Sequence, residues 1–252
     1  TASFVADLGG TGDAALGSLS ITGAASMTGP VTIRTVAASI SDSVVFNGTL
    51  DSDDIITINA GLGDVEFHGE VGGTNVPTNL DVNSASHITV FATAPVTAGE
   101  INFDSSDNIA ILAPMATTTG NITMTSSAAG VITDSAGTLT TANDDVVING
   151  ATVATIGGDV NAGTGDLQVT AVQTTIGGNV TVDDATITGT NFVVVNGDIT
   201  AANSAGLTGG SVDVNGAITA DTFTSTGTTF ISTAGGDVTG TTSVSILHTD
   251  AV

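Results

Sequence analysis

The chain has 252 residues and carries 25 acidic side chains against a single basic one, Arg34, for a formal net charge of −24. With no Lys and one Arg to displace counterions, nucleic acid and anionic membrane surfaces are excluded as natural partners. Yet 40% of the residues are hydrophobic, which separates the chain from disordered acidic tails and gives it material for a core.

That core is aliphatic, because there are only 8 Phe and no Trp or Tyr. β-Branched residues interrupted by 33 Gly predict strands and tight turns, and no window sustains the 3.6-residue period of an amphipathic helix. The absence of Cys removes disulfides and thiol chemistry. No run reaches the roughly 18 uninterrupted apolar residues of a membrane helix. The chain opens Thr1-Ala2-Ser3, with neither an initiator Met nor a basic-then-apolar leader, as expected of a processed product or an excised segment.

In chain order, residues 1–28 read as an irregular or capping N-terminal coil. Within it Gly9-Gly10-Thr11-Gly12-Asp13 begins like a calcium-binding nonapeptide repeat, but its Asp comes one position early and the motif is not tandemly repeated. Residues 29–252 then read as one continuous repeat domain. A Gly-x-aliphatic tripeptide recurs with its aliphatic member at Val31, Leu50, Val71, Val96, Met115, Leu139, Val160, Val180, Ile199, Ile218 and Val238, at intervals of 19 to 25 residues. Two residues earlier stands Gly or Ala every time, from Gly29 and Gly48 through Ala94 and Ala113 to Gly236. Such a column suits a coil corner, either for positive φ or because the next coil's backbone lies close.

Around the corner the pattern alternates: Val65, Phe67, Gly69 and Val71 point inward and Glu66, His68 and Glu70 outward. A second strand precedes it, as in Val193-Val194-Val195 and Ser211-Val212-Asp213-Val214. A β-sandwich does not need one residue type at one phase in successive units, whereas a β-solenoid does, so the expected fold is all-β, a parallel solenoid with coils of about 20 residues. The two longest intervals predict surface loops, one of them at Gly72-Gly73-Thr74-Asn75-Val76-Pro77.

The phrases Asn59-Ala60-Gly61-Leu62-Gly63-Asp64-Val65-Glu66-Phe67 and Asn161-Ala162-Gly163-Thr164-Gly165-Asp166-Leu167-Gln168-Val169 resemble repeats of filamentous-haemagglutinin-like and autotransporter-type bacterial surface proteins. The resemblance covers residues 29–252 and implies a right-handed parallel β-helix, export to the cell surface or beyond, and a role in an adhesin, coat or filament.

Asp53-Asp54, Asp144-Asp145 and Asp183-Asp184 are the carboxylate pairs that acid–base glycoside hydrolysis would need. Without Trp or Tyr platforms, and with Arg34 alone to meet a uronate, they read as solvated turn carboxylates. Calcium is the more serious ligand, since Asp-rich turns offer hard oxygen donors, and Asp51, Asp53 and Asp54 form the best local cluster. Glu66, His68 and Glu70 share one strand face, but its ends lie too far apart to complete a zinc site. His87 and His248 have no evident partner in the sequence. The Thr181, Thr200, Thr219, Thr239 ladder suggests ice binding, but the column two residues earlier alternates charge where a second Thr rank is required.

The expectation is therefore a non-enzymatic structural unit of a bacterial cell-surface or extracellular layer, fibre or adhesin, with no cofactor beyond possible calcium. Its partners are a second copy, through self-association, or the continuation of a longer chain, with a surface glycan as a further candidate. The alternatives are a glycan- or host-binding adhesin and a carbohydrate-active β-helix enzyme. One electrostatic expectation accompanies this. The column before each inward aliphatic reads Pro30, Thr49, Glu70, Pro95, Pro114, Thr138, Asp159, Asn179, Asp198, Ala217, Asp237, with no two neighbours charged. Asn179→Asp is then expected to destabilise the chain through repulsion, and Asn203→Asp, outside the column, to change little.

Overall fold

Short β-branched runs such as Val44–Phe46, Val65–Phe67 and Ile88–Val90 bury their first and third side chains and turn the middle one outward, the two-residue period of a pleated strand. A three-residue strand cannot close a core by itself, so the strands stack. The computed structural model, which describes residues 2–4, 17–35, 42–127, 130–135 and 137–250, is a parallel β-solenoid of about 11 turns whose coils lie about 21 residues apart. There is no helix among the described residues, and hence none long and apolar enough to cross a membrane.

Each coil contributes to three ladders. The first stacks Leu19, Val44, Val65, Ile88, Ile109, Ile132 and Ala154 and continues through Thr174, Val193, Val212 and Phe230. The second stacks Ala25, Leu50, Val71, Val96, Met115, Leu139, Val160, Val180, Ile199, Ile218 and Val238. The third runs from Val31 through Ile56, Leu80, Ile101, Ile122, Val146 and Leu167 to Ala185, Ala205, Phe223 and Val244. Their inward side chains form one continuous buried core.

Ten of the eleven aliphatic positions read from the periodicity therefore stack as expected, from Leu50 onward. Val31 does not: it belongs to the third ladder, beneath Ile56, and Ala25 takes its place beneath Leu50. The reason lies in two glycines that look alike in sequence. Gly29 has φ +82° and open space around it, so it serves a turn. At Gly48 an added Cβ would lie 2.4 Å from the carbonyl carbon and oxygen of Gly23, so here glycine admits the backbone of the coil beneath.

The two phrases that resemble haemagglutinin-type repeats also occupy different corners. Asn59–Val65 turns from the third ladder into the first, and Asn161–Leu167 from the second into the third. Both carry a glycine in the left-handed region, Gly61 at φ 63° and Gly163 at φ 61°, so the phrase encodes a turn and not a coil phase. Before Gly72–Pro77 the strand reduces to one residue, Val71, bridged to Leu50 and Val96, and Gly73, Thr74 and Val76 are exposed, as a surface loop requires. The Gly9–Asp13 motif lies outside the described residues.

Candidate functional site

Where a coil turns from one ladder to the next, some backbone N–H groups point down the rod and meet no carbonyl. An Asp or Asn of the coil beneath supplies the missing acceptor. Asp159 Oδ1 accepts from Asn179 N at 2.8 Å, Asn179 Oδ1 from Asp198 N at 3.0 Å, and Asp198 Oδ1 from Ala217 N at 2.8 Å. Before the third ladder the same device runs through Asn121, Asp145, Asp166 and Asp184, which accept from Asp145 N, Asp166 N, Asp184 N and Ser204 N at 2.8 to 3.1 Å. The preference for 22 Asp over 3 Glu follows, since the shorter side chain reaches the next corner while remaining in its own turn.

The two columns differ in charge. The first keeps a neutral residue between its carboxylates, as its sequence suggested. The second sets Asp145, Asp166 and Asp184 in three successive coils, with Asp183 beside them. Asp166, Asp183 and Asp184 bring one oxygen each within 4.8 Å of one another. Asp166 and Asp184 border a shallow cleft of about 200 Å³ lined also by Asp145, Val147, Leu167, Gln168 and Thr186. Burial holds the Asp166 carboxyl above its ordinary value; the Asp184 N–H partly offsets this, while the charges of Asp145, Asp184 and Asp183 reinforce it. An all-carboxylate donor set of this kind is suited to a hard cation such as Ca²⁺ rather than to zinc.

Of Asp51, Asp53 and Asp54, the cluster singled out in the sequence, Asp51 lies in the strand Leu50–Ser52 and Asp53 and Asp54 in the bend that follows it. Asp51 Oδ1 accepts from Thr74 N at 2.8 Å and Asn75 N at 3.3 Å, and Asp54 Oδ1 accepts from Ile55 N at 2.9 Å. Among the described residues, the acidic groups that converge are those around Asp166. Spacing along the chain does not reveal them, because Asp166 and Asp184 meet only when one coil stacks on the next.

The histidines show the same limit of sequence reading. His68 Nε2 lies 2.9 Å from Glu66 Oε2 and its ring stacks on Phe91 at 3.9 Å, while Glu70 is exposed at the following corner. His87 sits between carboxylates of the coils on either side, Nδ1 at 2.9 Å from Asp64 and Nε2 at 3.3 Å from Asp107. His248 Nε2 pairs with Ser225 Oγ at 2.9 Å. These last partners are about one coil away in sequence and adjacent in space.

Two substitutions test the columns. Asp166→Asn keeps the oxygen that accepts from Asp184 N and removes the charge. Because the native Asp166 carboxyl lies above its unfolded value, the folded chain binds that proton more tightly, and the ionised group lowers stability as pH rises through this interval. Neighbouring carboxylates at a coil spacing of roughly 4.8 Å repel by about 1 kcal/mol in water. Asp166→Asn is thus expected to raise Tm by about 2 °C at neutral pH and low salt, with the gain shrinking in high salt and as pH falls through the raised native value. A fall in Tm at neutral pH would contradict the repulsion.

Asn179→Asp is expected to do the reverse, lowering Tm by about 2 °C at low salt and recovering in high salt or calcium, since it sets three carboxylates in a row with Asp159 and Asp198. Asn203 is not a neutral control, because its Nδ2 donates to Asp183 Oδ2 at 2.8 Å and Asn203→Asp would oppose two carboxylates. Asn149, exposed between Thr125 and Thr170, serves instead. Equal shifts for Asn179→Asp and Asn149→Asp in thermal melts would disprove the stacking argument.

Comparison of the chain with family models, with curated proteins and with solved structures finds no match in any of the three.

Proposed function

We propose that this chain is a non-enzymatic structural unit of a bacterial cell-surface or extracellular layer, fibre or adhesin, of the filamentous-haemagglutinin-like or autotransporter type. The observation that carries the reading is the use made of its polar groups. One member of each of two carboxylate pairs that a catalytic reading would recruit, Asp145 and Asp184, accepts a backbone N–H group at a corner, as do Asp159, Asp166, Asn121 and Asn179, so these polar groups serve coil stacking. A rod of about 11 coils at roughly 4.8 Å spans about 50 Å, a length suited to display or spacing. Val244 and Ile246 in the last described coil are 47% and 44% exposed where their partners in the coil before, Phe223 and Ser225, are buried, and Leu247 on the outward face is 67% exposed. Such an apolar edge favours either another copy or a further coil.

Electron microscopy of native material tests the reading: a filament, a layer or surface-anchored rods are expected, and a dispersed globular particle would overturn it. In parallel, reducing-sugar and unsaturated-product assays on acidic polysaccharides are expected to stay at background. Turnover abolished by Asp166→Asn would replace the scaffold with a carbohydrate-active enzyme.

A further inference from the structure

The two-residue period of a strand sends alternate side chains outward, so each ladder has an outer face, and the three outer faces of this rod differ. Outside the second ladder stand Thr140, Asn161, Thr181 and Thr200, with Asp159 and Asp198 beside them. Outside the third stand Thr123, Val147, Gln168 and Thr186, with Asp145, Asp166 and Asp184 beside them.

The first ladder presents neither carboxylates nor a uniform polar rank over the same coils. Thr89, Ala110, Thr133, Thr155, Thr175 and Val194 form its outward rank, between Glu66 below and Asp213 above. Val131, Val153, Gln173 and Phe192 stack along one side of that rank, and Phe91 and Leu112 along the other. Phe91, Leu112, Val131, Val153, Phe192 and Val194 are half-buried, whereas Val147 is the one large aliphatic side chain among those named on the other two faces. No Asp, Glu or Arg stands at any of these first-ladder positions from Thr89 to Val194.

Six coils at roughly 4.8 Å, each contributing five residues at roughly 3.3 Å, give a flat strip of about 29 Å by about 17 Å. Two such strips laid together cover roughly 500 Å² on each partner, roughly 1,000 Å² in all, which is the lower bound for a specific contact between proteins. Charge and period together select a second copy as the occupant. A partner held by opposite charge goes to the acidic columns instead. A second copy, itself at −24, is repelled from the faces that present carboxylates and meets none here. Its ranks also repeat at the same coil spacing, so the side chains of two facing strips interdigitate along their whole length, as packed sheets do about 10 Å apart.

We propose that the first-ladder face between Thr89 and Val194 packs against a second copy of this chain, rod beside rod. The inference names a partner for the structural unit and rests on that reading for the local density of copies, because an interface of this size is weak by itself. Apolar burial drives the contact and net charge opposes it, so pairing strengthens as salt screens the repulsion.

Sedimentation velocity on the whole chain, over a concentration series at low and high salt, tests the contact. The wild type is expected to pair, and more tightly at high salt. Thr155 stands between Thr133 and Thr175 on this face, and Thr188 between Thr170 and Thr208 on the third-ladder face, so the two threonines have matched surroundings. Thr155→Asp is expected to raise the dissociation constant by about tenfold or more, and Thr188→Asp by less than about twofold. Leu112→Ser, which removes apolar surface and adds no charge, is expected to weaken pairing severalfold, and Ile246→Asp, at the edge of the last described coil, to leave it unchanged. A wild type that stays monomeric at every salt concentration, equal effects of Thr155→Asp and Thr188→Asp, or pairing lost only in Ile246→Asp overturns the proposal. Should Thr155→Asp not fold, Leu112→Ser decides, and undiminished pairing overturns it. Each of these outcomes leaves the structural reading to its microscopy, whereas polysaccharide turnover by a chain that still pairs through this face overturns that reading and keeps the contact.

Discussion

Phe67→Ala is expected to lower stability by about 4 kcal/mol, because a wholly buried ring is replaced by a methyl group in a core that cannot collapse around it. Phe67 stacks on Phe46 at 5.6 Å and on Phe103 at 6.1 Å, with interplanar angles of 3° and 10°, so one truncation leaves two rings facing a void. For a chain of this length the loss corresponds to a fall in Tm of about 8–16 °C. Since each coil touches only its neighbours, faster amide exchange should concentrate in the coils around residues 44–46, 65–67 and 88–90 and leave those beyond residue 180 unchanged. Phe91→Ala supplies the comparison, for its ring is only partly buried and rests on His68. Melting temperatures that fall equally for the two would mean that the Phe46–Phe67–Phe103 stack contributes nothing beyond surface covering.

Gly197→Ala is the second large effect. A Cβ there would stand 2.0 Å from the carbonyl oxygen of Gly178 and 2.4 Å from its carbonyl carbon, and neither is the far end of a flexible side chain. The coils must separate locally or the corner must be rebuilt. Forced overpacking of this sort costs about 3 kcal/mol, a fall in Tm of about 6–12 °C. Gly206→Ala adds the same methyl where the nearest atom, Thr224 Oγ1, lies at 3.5 Å, and is expected to shift Tm by less than about 2 °C. A melt in which Gly197→Ala behaves like Gly206→Ala would refute close backbone approach as the reason for the glycine column. In the run Gly178, Gly197, Gly216 each glycine lies over the one before, whereas Ala94 and Ala113 occupy the same column earlier and do carry a methyl.

The sequence by itself determined the class of fold and most of its phase. The spacing from Leu50 to Val238, the two-residue alternation through Val65 and Phe67, and the lack of any helical period follow from where side chains must point, and that is a local property of the strand. The error at Val31 came from the same source: Gly29 and Gly48 have the same neighbours in pattern, and only their surroundings separate a turn glycine from one that admits another coil. Tertiary structure alone decided which polar groups meet. The convergence of Asp166 with Asp183 and Asp184, the pairing of His87 with Asp64 and Asp107, and the bond from Gly158 N to Asp134 Oδ2 each join residues about one coil apart in sequence. Coil lengths vary because turns and loops absorb extra residues, so a shift of one position at any corner changes which side chain stands above which. Local pattern sets inward from outward, but only the closed coils set who stands over whom.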